Sequence, residues 1–394
     1  MKRNNSRKKN IRVALISFVF LMVAVSGVRY SAFANETLFR NIQVSSELEK
    51  YSGVISAQEN GIELTATYEP WSTERMEQAI PYPLPDVNSL PEITTNQFQS
   101  NGEPGYFPSI PPANNHNGEP SPDDPLIQSS FSTSGYDKPA PYTRYEIFDS
   151  YQVFPYSTVG VLFFTQNSVD YRCSAAVVGE NALWTAGHCV HDGIGNKSGW
   201  SENVAFVPAY KDGNEPYGRW VANNLHTRLY WFNNQDLRFD IGGVVLEPNG
   251  SDQSVQEVVG SLGFAYNMGP SQHWFNFGYP SAFPFNGKTM QICAGSFARL
   301  ASGTSYPNPV GMGCDMTPGS SGGPWIIHFN GFDGNTNYLN GNNSFRFTDD
   351  PEDFEELYSP YFGITAWELF SEISPESASL TNFFLPTTYS NYGK

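Results

Sequence analysis

Ser321 lies in the run Thr317-Pro318-Gly319-Ser320-Ser321-Gly322-Gly323-Pro324, a serine set among glycines and prolines. That composition excludes a helix interior or a regular strand and fixes a tight turn that holds a hydroxyl outward. Backbone N–H groups in such a turn are left unpaired and converge on one point, as a nucleophile beside an oxyanion site requires. Read alone, the run is equally a plain loop. What decides is whether the chain also supplies a base and an acid, because a serine hydroxyl is a weak nucleophile until a base takes its proton. Of the six histidines, His188 is the best base: it follows the apolar run Ala182-Leu183-Trp184-Thr185-Ala186 and Gly187, and Cys189 follows it. Asp240 is the best acid, a carboxylate directly before Ile241-Gly242-Gly243-Val244-Val245-Leu246. A carboxylate entering a buried strand needs a partner, and an imidazole N–H is a natural one. Asp236 competes locally but lacks the apolar run.

The elements that must hold these groups read as short strands broken by Gly and Asn turns, at 158–164, 171–178, 182–186, 204–207, 219–221, 241–246, 274–278, 289–294, 324–329 and 361–367. With 35 Gly, 29 Pro and few helix-periodic runs in 394 residues, the chain is expected to be all-β. The 22 Tyr, 29 Phe and 8 Trp supply bulky core material.

The N-terminus reads as a targeting segment, 1–34. Lys2, Arg3, Arg7, Lys8, Lys9 and Arg12 precede an apolar run from Val13 to Val28, and Ala32-Phe33-Ala34 is an A-x-A cleavage site. The apolar run is short for a membrane span, and no other stretch could cross a bilayer, so no membrane attachment is expected after cleavage. Without this segment the chain keeps 15 basic residues (22 less 7) against 39 acidic ones, a net charge of −24. That excludes a general electrostatic hold on nucleic acid or on an anionic membrane and suits a secreted protein. Four cysteines in an exported chain read as two disulfides, with three connectivities open. No CxxC spacing is present, so a structural zinc site is not expected. Residues 35–142 read as a weakly structured, removable pro-segment whose Pro/Asn/Ser/Gly-rich part from Ile80 to Pro125 has little apolar surface to bury. A retained flexible extension is the alternative.

Thr185-Ala186-Gly187-His188-Cys189, Asp240-Ile241 and Gly319-Ser320-Ser321-Gly322-Gly323-Pro324 together resemble the three catalytic motifs of the chymotrypsin/trypsin-like serine peptidases, in that family's His, Asp, Ser order. The run from Cys314 to Trp325 resembles the bacterial secreted, V8-like (glutamyl endopeptidase) branch. The likeness extends over about 145–367, within a catalytic domain taken as 143–394. It implies two antiparallel six-stranded β-barrels with the site in the cleft between them. It implies His188, Asp240 and Ser321 as the triad and the N–H groups of Gly319 and Ser321 as the oxyanion donors. Cys173–Cys189 would be the His-loop disulfide, which leaves Cys293 with Cys314. The implied partners are a protein or peptide substrate and the chain's own pro-segment as inhibitor, with the enzyme a monomer.

Specificity departs from both branches. Asp315, six residues before Ser321, stands where trypsin-like members carry the S1 carboxylate, which favours a basic P1 residue. The glutamyl branch places a His in a Gly-Ile-His strand; the matching strand is taken as Gly363-Ile364-Thr365-Ala366-Trp367, so Thr365 and Trp367 are expected to line the pocket. A glutamyl preference is the alternative. The acidic run at 349–356, in an insertion of about 330–357, reads as a solvated loop before it reads as a Ca²⁺ site. Ser320 replaces the Asp through which vertebrate members sense zymogen cleavage.

Overall fold

Six strands close on themselves in the first half of the catalytic region. They are β1 (Val159–Gln166), β2 (Val169–Gly179), β3 (Ala182–Thr185), β4 (Glu202–Pro208), β5 (Trp220–Arg228) and β6 (Gly242–Leu246). Every neighbour pair is antiparallel, and the order β1-β2-β3-β6-β5-β4 returns to β1, a sealed ring with no free edge between its members. This is a computed structural model, and it describes residues 53–64, 69–87, 102–113, 140–301, 307–330, 336–347 and 355–379. Residues 1–34, expected to be a targeting segment, most of the Pro/Asn-rich stretch and the acidic residues at 349–353 lie outside the described residues.

Alternation builds the ring. Leu162 and Phe164, Ala175 and Val177, Val204 and Phe206, and Val244 and Leu246 share one core. Their neighbours Val161, Phe163, Ala176, Val178, Ala205 and Val207 share a second core with the other half of the molecule. Strands buried on both faces read as continuous apolar runs, which is why 159–164 and 175–178 are so uniform.

The second half is a larger, mixed sheet in which six antiparallel strands, as expected, follow one another around to the Phe345–Tyr358 bridge. It runs through β7 (Gly263–Tyr266), β8 (His273–Gly278), β9 (Gln291–Leu300), β10 (Val310–Gly313), β11 (Pro324–Ile327), β12 (Tyr338–Asn342) and β13 (Glu356–Ser359), in the order β13-β10-β9-β8-β11-β12-β7. The β12–β7 pair is parallel. Past β12 the chain meets β13 through the single bridge Phe345–Tyr358. The C-terminal helix α1 (Ile364–Ile373) buries Ala366, Leu369, Phe370 and Ile373 in the shared core. The strand expected at 361–367 is therefore a helix N-capped by Gly363. Ala366, Leu369, Phe370 and Ile373 recur at helical spacing, a pattern that short apolar runs conceal.

Parts of the supposed weakly structured N-terminal region are docked on this body. Val54–Ser56 extends the ring beside β5, Ile80–Pro81 runs parallel to β2, and Gly105–Phe107 adds to β7. Trp71, Met76, Leu84, Val87 and Phe107 are all buried, whereas Ile80 and Tyr106 stay exposed. The strand Tyr142–Glu146 pairs along β9 from Gln291 to Gly295.

Candidate active site

His188 follows β3 in a single 3-10 turn, Gly187–Cys189, and Asp240 ends another, Leu237–Phe239, just before β6. The pairing of β3 with β6, Thr185 opposite Gly242, brings the two residues together. Asp240 Oδ1 accepts the His188 backbone N–H at 2.8 Å, and Oδ2 lies 2.8 Å from His188 Nδ1. One carboxylate thus fixes both the backbone and the ring. Gly187 is needed here: a Cβ would sit 2.8 Å from the Trp231 ring and 3.0 Å from Asp240 Oδ1. The disulfide Cys173–Cys189 closes behind His188 and ties its loop to β2.

Ser321 comes from the other half, in the turn before β11. Gly319 at φ +97° and Gly322 at φ +78° adopt the left-handed conformations that shape the turn. A Cβ on Gly322 would lie 2.0 Å from Thr185 Oγ1, so the nucleophile turn presses against the ring without room for a side chain. Ser174 of β2 pins it further: its N–H donates to the Ser321 carbonyl at 2.7 Å and its Oγ donates to the Gly319 carbonyl at 3.0 Å. Among the described residues, neither the Gly319 nor the Ser321 N–H donates to a protein acceptor. His188 Nε2 and Ser321 Oγ are both buried and without a described hydrogen-bond partner. Such orphaned atoms are uncommon in a folded interior and call for an explanation.

Sequence reasoning passed over Asn342, Asn343 and Ser344, which fall in the stretch taken as an insertion. They sit at and just past the end of β12, each fully buried. Ser344 Oγ donates to Asp240 Oδ2 at 2.6 Å. Asn342 Nδ2 donates to the Asp240 carbonyl at 3.4 Å, and its Oδ1 accepts from Trp184 Nε1 at 3.1 Å. Asn343 Nδ2 reaches the Ser320 carbonyl at 3.1 Å, while its Oδ1 accepts from Asn276 and from Trp325 Nε1. The three residues join Asp240 of one half to the Gly319–Gly322 turn of the other. The available signal was three consecutive polar residues between the hydrophobes Leu339 and Phe345, too short to distinguish from a loop.

The expected S1 residues do not assemble. Thr365 and Trp367 belong to α1, where Trp367 packs on Tyr266. Asp315 is near the nucleophile turn, but its carboxylate is taken by Arg144, with Nε at 3.0 Å from Oδ1 and 3.1 Å from Oδ2. The second disulfide, Cys293–Cys314, closes beside it. The segment next to the turn is instead Ser344 to Phe347: buried Arg346 donates to the Met316 carbonyl. Among the described residues of the region taken as an insertion, Tyr338–Asn342, Arg346–Phe347 and the start of Glu356–Ser359 are strand. At the end of the acidic run, Glu356 is paired with Arg299.

A further residue covers the site. Tyr82 stacks on His188, ring centroids 5.2 Å apart and planes 25° from parallel. Its hydroxyl donates to Gln166 Oε1 at 2.7 Å, and Gln166 Nε2 donates to the His188 carbonyl at 3.4 Å. Burial, and next the Tyr171 and Asp240 charges, push the Tyr82 phenol up.

No family model matches the chain. Solved structures do. A thermostable serine protease, AL20, from an extremophilic microorganism is 34% identical, with 56% of this chain and 97% of that one covered and a TM-score of 0.49. The protease Anisep from Arthrobacter nicotinovorans is 32% identical, covering 56% and 96%, with a TM-score of 0.48. A curated relative, an extracellular metalloprotease of Bacillus subtilis (strain 168), is 30% identical over 100 residues, so the chain spans 30% of that relative's length.

Proposed function

The chain belongs to the chymotrypsin/trypsin-like serine peptidases, and on that premise we propose that it is a secreted serine endopeptidase made as a precursor, with Ser321, His188 and Asp240 as its triad. The observation that carries this is the Asp240–His188 couple. With Nδ1 and the backbone N–H both engaged by one carboxylate, the imidazole has a single orientation and Nε2 is its free nitrogen. Ser321 Oγ attacks the peptide carbonyl as Nε2 takes its proton. The Gly319 and Ser321 N–H groups receive the developing oxyanion, each worth about 3 kcal/mol. Nε2 then protonates the departing amine, and water hydrolyses the acyl-enzyme by the same route reversed.

Secretion is supported by the basic, apolar and A-x-A run at 1–34 and by two disulfides, which persist in oxidising compartments. Among the described residues no helix is long and apolar enough to cross a membrane. The metalloprotease name of the Bacillus relative would call for a metal donor set. The tight donor groupings among the described residues are Cys173–His188–Cys189 and Cys293–Cys314–Asp315, and in both the sulfurs are spent on disulfides. Precursor synthesis is supported by the N-terminal segment lying over His188.

For P1 the reading is a basic residue held by Asp315, the carboxylate Arg144 now occupies as a substrate guanidinium would. A glutamyl preference is favoured by a different observation, the buried Arg346 beside Met316. The test is labelling of the processed protein with a serine-directed fluorophosphonate, together with turnover of a P1 peptide panel. Wild type labels at Ser321 and turns over peptides, and Ser321→Ala does neither. A processed wild type that neither labels nor turns over rejects the enzyme reading, and the preferred P1 side chain decides between Asp315 and Arg346.

A further inference from the structure

Residues 80–87 cross the proposed site, and their pairing has a direction. At one end Ile80 and Pro81 lie parallel to Tyr171 and Arg172, and the Tyr82 N–H donates to the Arg172 carbonyl at 3.0 Å. At the other, Asp86 and Val87 lie parallel to Arg346 and Phe347. Between them Tyr82 covers His188, and Leu84, 4% exposed, enters the apolar cluster of Met312, Cys314, Met316 and Trp325 that leads to the nucleophile turn. Arg172 is next to Cys173, bonded to the residue after His188, and Arg346 touches Met316, five residues before Ser321.

Chemistry sets the direction a substrate must take. The acyl half stays on Ser321 and its oxyanion donors, on the side walled by Met316 and Arg346. The amine half leaves past His188, on the side of β2 and the Cys173–Cys189 bridge. A productive peptide therefore runs from Arg346 toward Arg172. Residues 80–87 run from Arg172 toward Arg346. We infer that the cleft also binds an extended peptide in the direction opposite to a substrate, and that residues 80–87 are this ligand, a reversed strap that blocks the site without being cut there. The inference rests on the serine-peptidase reading.

The strap's composition fits the role. Pro81, Pro83 and Pro85 alternate with Ile80, Tyr82 and Leu84, so every second residue lacks an N–H and has φ fixed. Such a strand is extended before it binds, pairs sparsely and loses little entropy on docking. With its chain reversed, any strap carbonyl presented to Ser321 has its amide nitrogen directed away from His188, so the nitrogen cannot receive the proton it needs to leave. The preceding helix, Thr73–Gln78, supplies the anchor. Arg75 forms a bidentate pair with Asp170 at 2.7 and 2.8 Å, buried Trp71 donates to the Asn203 carbonyl at 2.6 Å, and Met76 is fully buried.

The test uses the full, unprocessed chain. Tyr82→Gly with Leu84→Gly is expected to raise the fluorophosphonate labelling rate of Ser321 at least ~10-fold over wild type, the shift expected when a covered state loses its cover. Tyr82→Phe, which keeps the stacked ring, labels like wild type, and a glycine variant no faster than wild type overturns the strap. Direction is read separately on the Ser321→Ala chain. Asp86→Cys with Arg346→Cys forms a disulfide, whereas Ile80→Cys with Arg346→Cys does not. The reverse result, or mass-spectrometric cleavage within 80–87 in the wild-type precursor, overturns the reversed direction. Absence of labelling in every chain and after limited proteolysis rejects the serine-peptidase reading and the strap with it, whereas a labelled processed form beside an unchanged glycine variant rejects the strap alone.

Discussion

The two halves of the catalytic region solve the same problem differently. The first is a ring of six antiparallel strands sealed by its own pairings, and it holds His188 and Asp240 through one carboxylate and one disulfide. The second is a mixed sheet that takes in Gly105–Phe107 and Tyr142–Glu146 from the N-terminal segment. It holds Ser321 in a glycine turn pinned from outside by Ser174 and by Asn343. The proposed acid–base pair is held together within its own half, with Ser344 and Asn342 reaching Asp240 from the other, whereas the proposed nucleophile turn is held by side chains outside it. Errors in the first half should therefore strike chemistry directly, and errors in the second should act through the joint.

The largest break in this comparison is Asp240→Asn. An amide cannot accept from the His188 backbone, the ring and Ser344 together, and kcat should fall ~10³–10⁴-fold with the fold intact, as steady-state kinetics and circular dichroism would show. Next are the disulfides. Their sequence separations of 16 and 21 residues give each about 3 kcal/mol in the loop-entropy account, read as urea midpoints of the paired Cys→Ser variants. Only loss of Cys173–Cys189 should also lower turnover per folded molecule, because Cys189 adjoins His188; equal losses would erase the distinction.

A smaller effect depends on pH. Burial pushes the His226 imidazole on β5 down to about 4, with Glu59 opposing, in a cavity also faced by Arg228, Glu368 and Glu372. The unfolded chain takes up this proton near pH 6.5 and the folded chain only near 4, so the stability is present above 6.5 and declines as pH falls through that window. His226→Asn should flatten the difference between urea midpoints at pH 7 and 4.5. The smallest effect is Ser344→Ala, which removes one hydrogen bond to Asp240 and should lower kcat/KM about 3–10-fold. A loss as large as that of Asp240→Asn would place the control of the acid in the second half.

Most of the first ring was legible because its strands are long, apolar and punctuated by turns: 158–164, 171–178 and 182–186 match β1, β2 and β3 closely. His188 and Asp240 were legible for the same reason, since each borders such a strand. Ser321 stood out through glycine chemistry. The rest was hidden by context. Gly341, Asn342, Asn343 and Ser344 have loop composition and become a buried strand end only because Trp184, Trp325, Asn276 and Asp240 offer them partners from distant positions. Thr365 was assigned by similarity to a strand, and helical spacing of Ala366, Leu369, Phe370 and Ile373 against the core prevailed. Tyr82 could not be found at all from its Pro-rich surroundings, because its role depends on which groove the Pro-rich stretch occupies.

The buried trio Asn342–Asn343–Ser344 has a consequence for how the molecule fails. A polar seam inside an apolar interior has no graded intermediate: once β12 lifts, Asp240 and the nucleophile turn lose their shared partners in one event. The seam is therefore a weak cooperative unit within a stronger one, and hydrogen exchange at β12 should open at lower free energy than at β1 or β2. On heating, activity is expected to disappear with that local opening while the first ring is still folded, so the inactivation temperature should lie below that of the global melt.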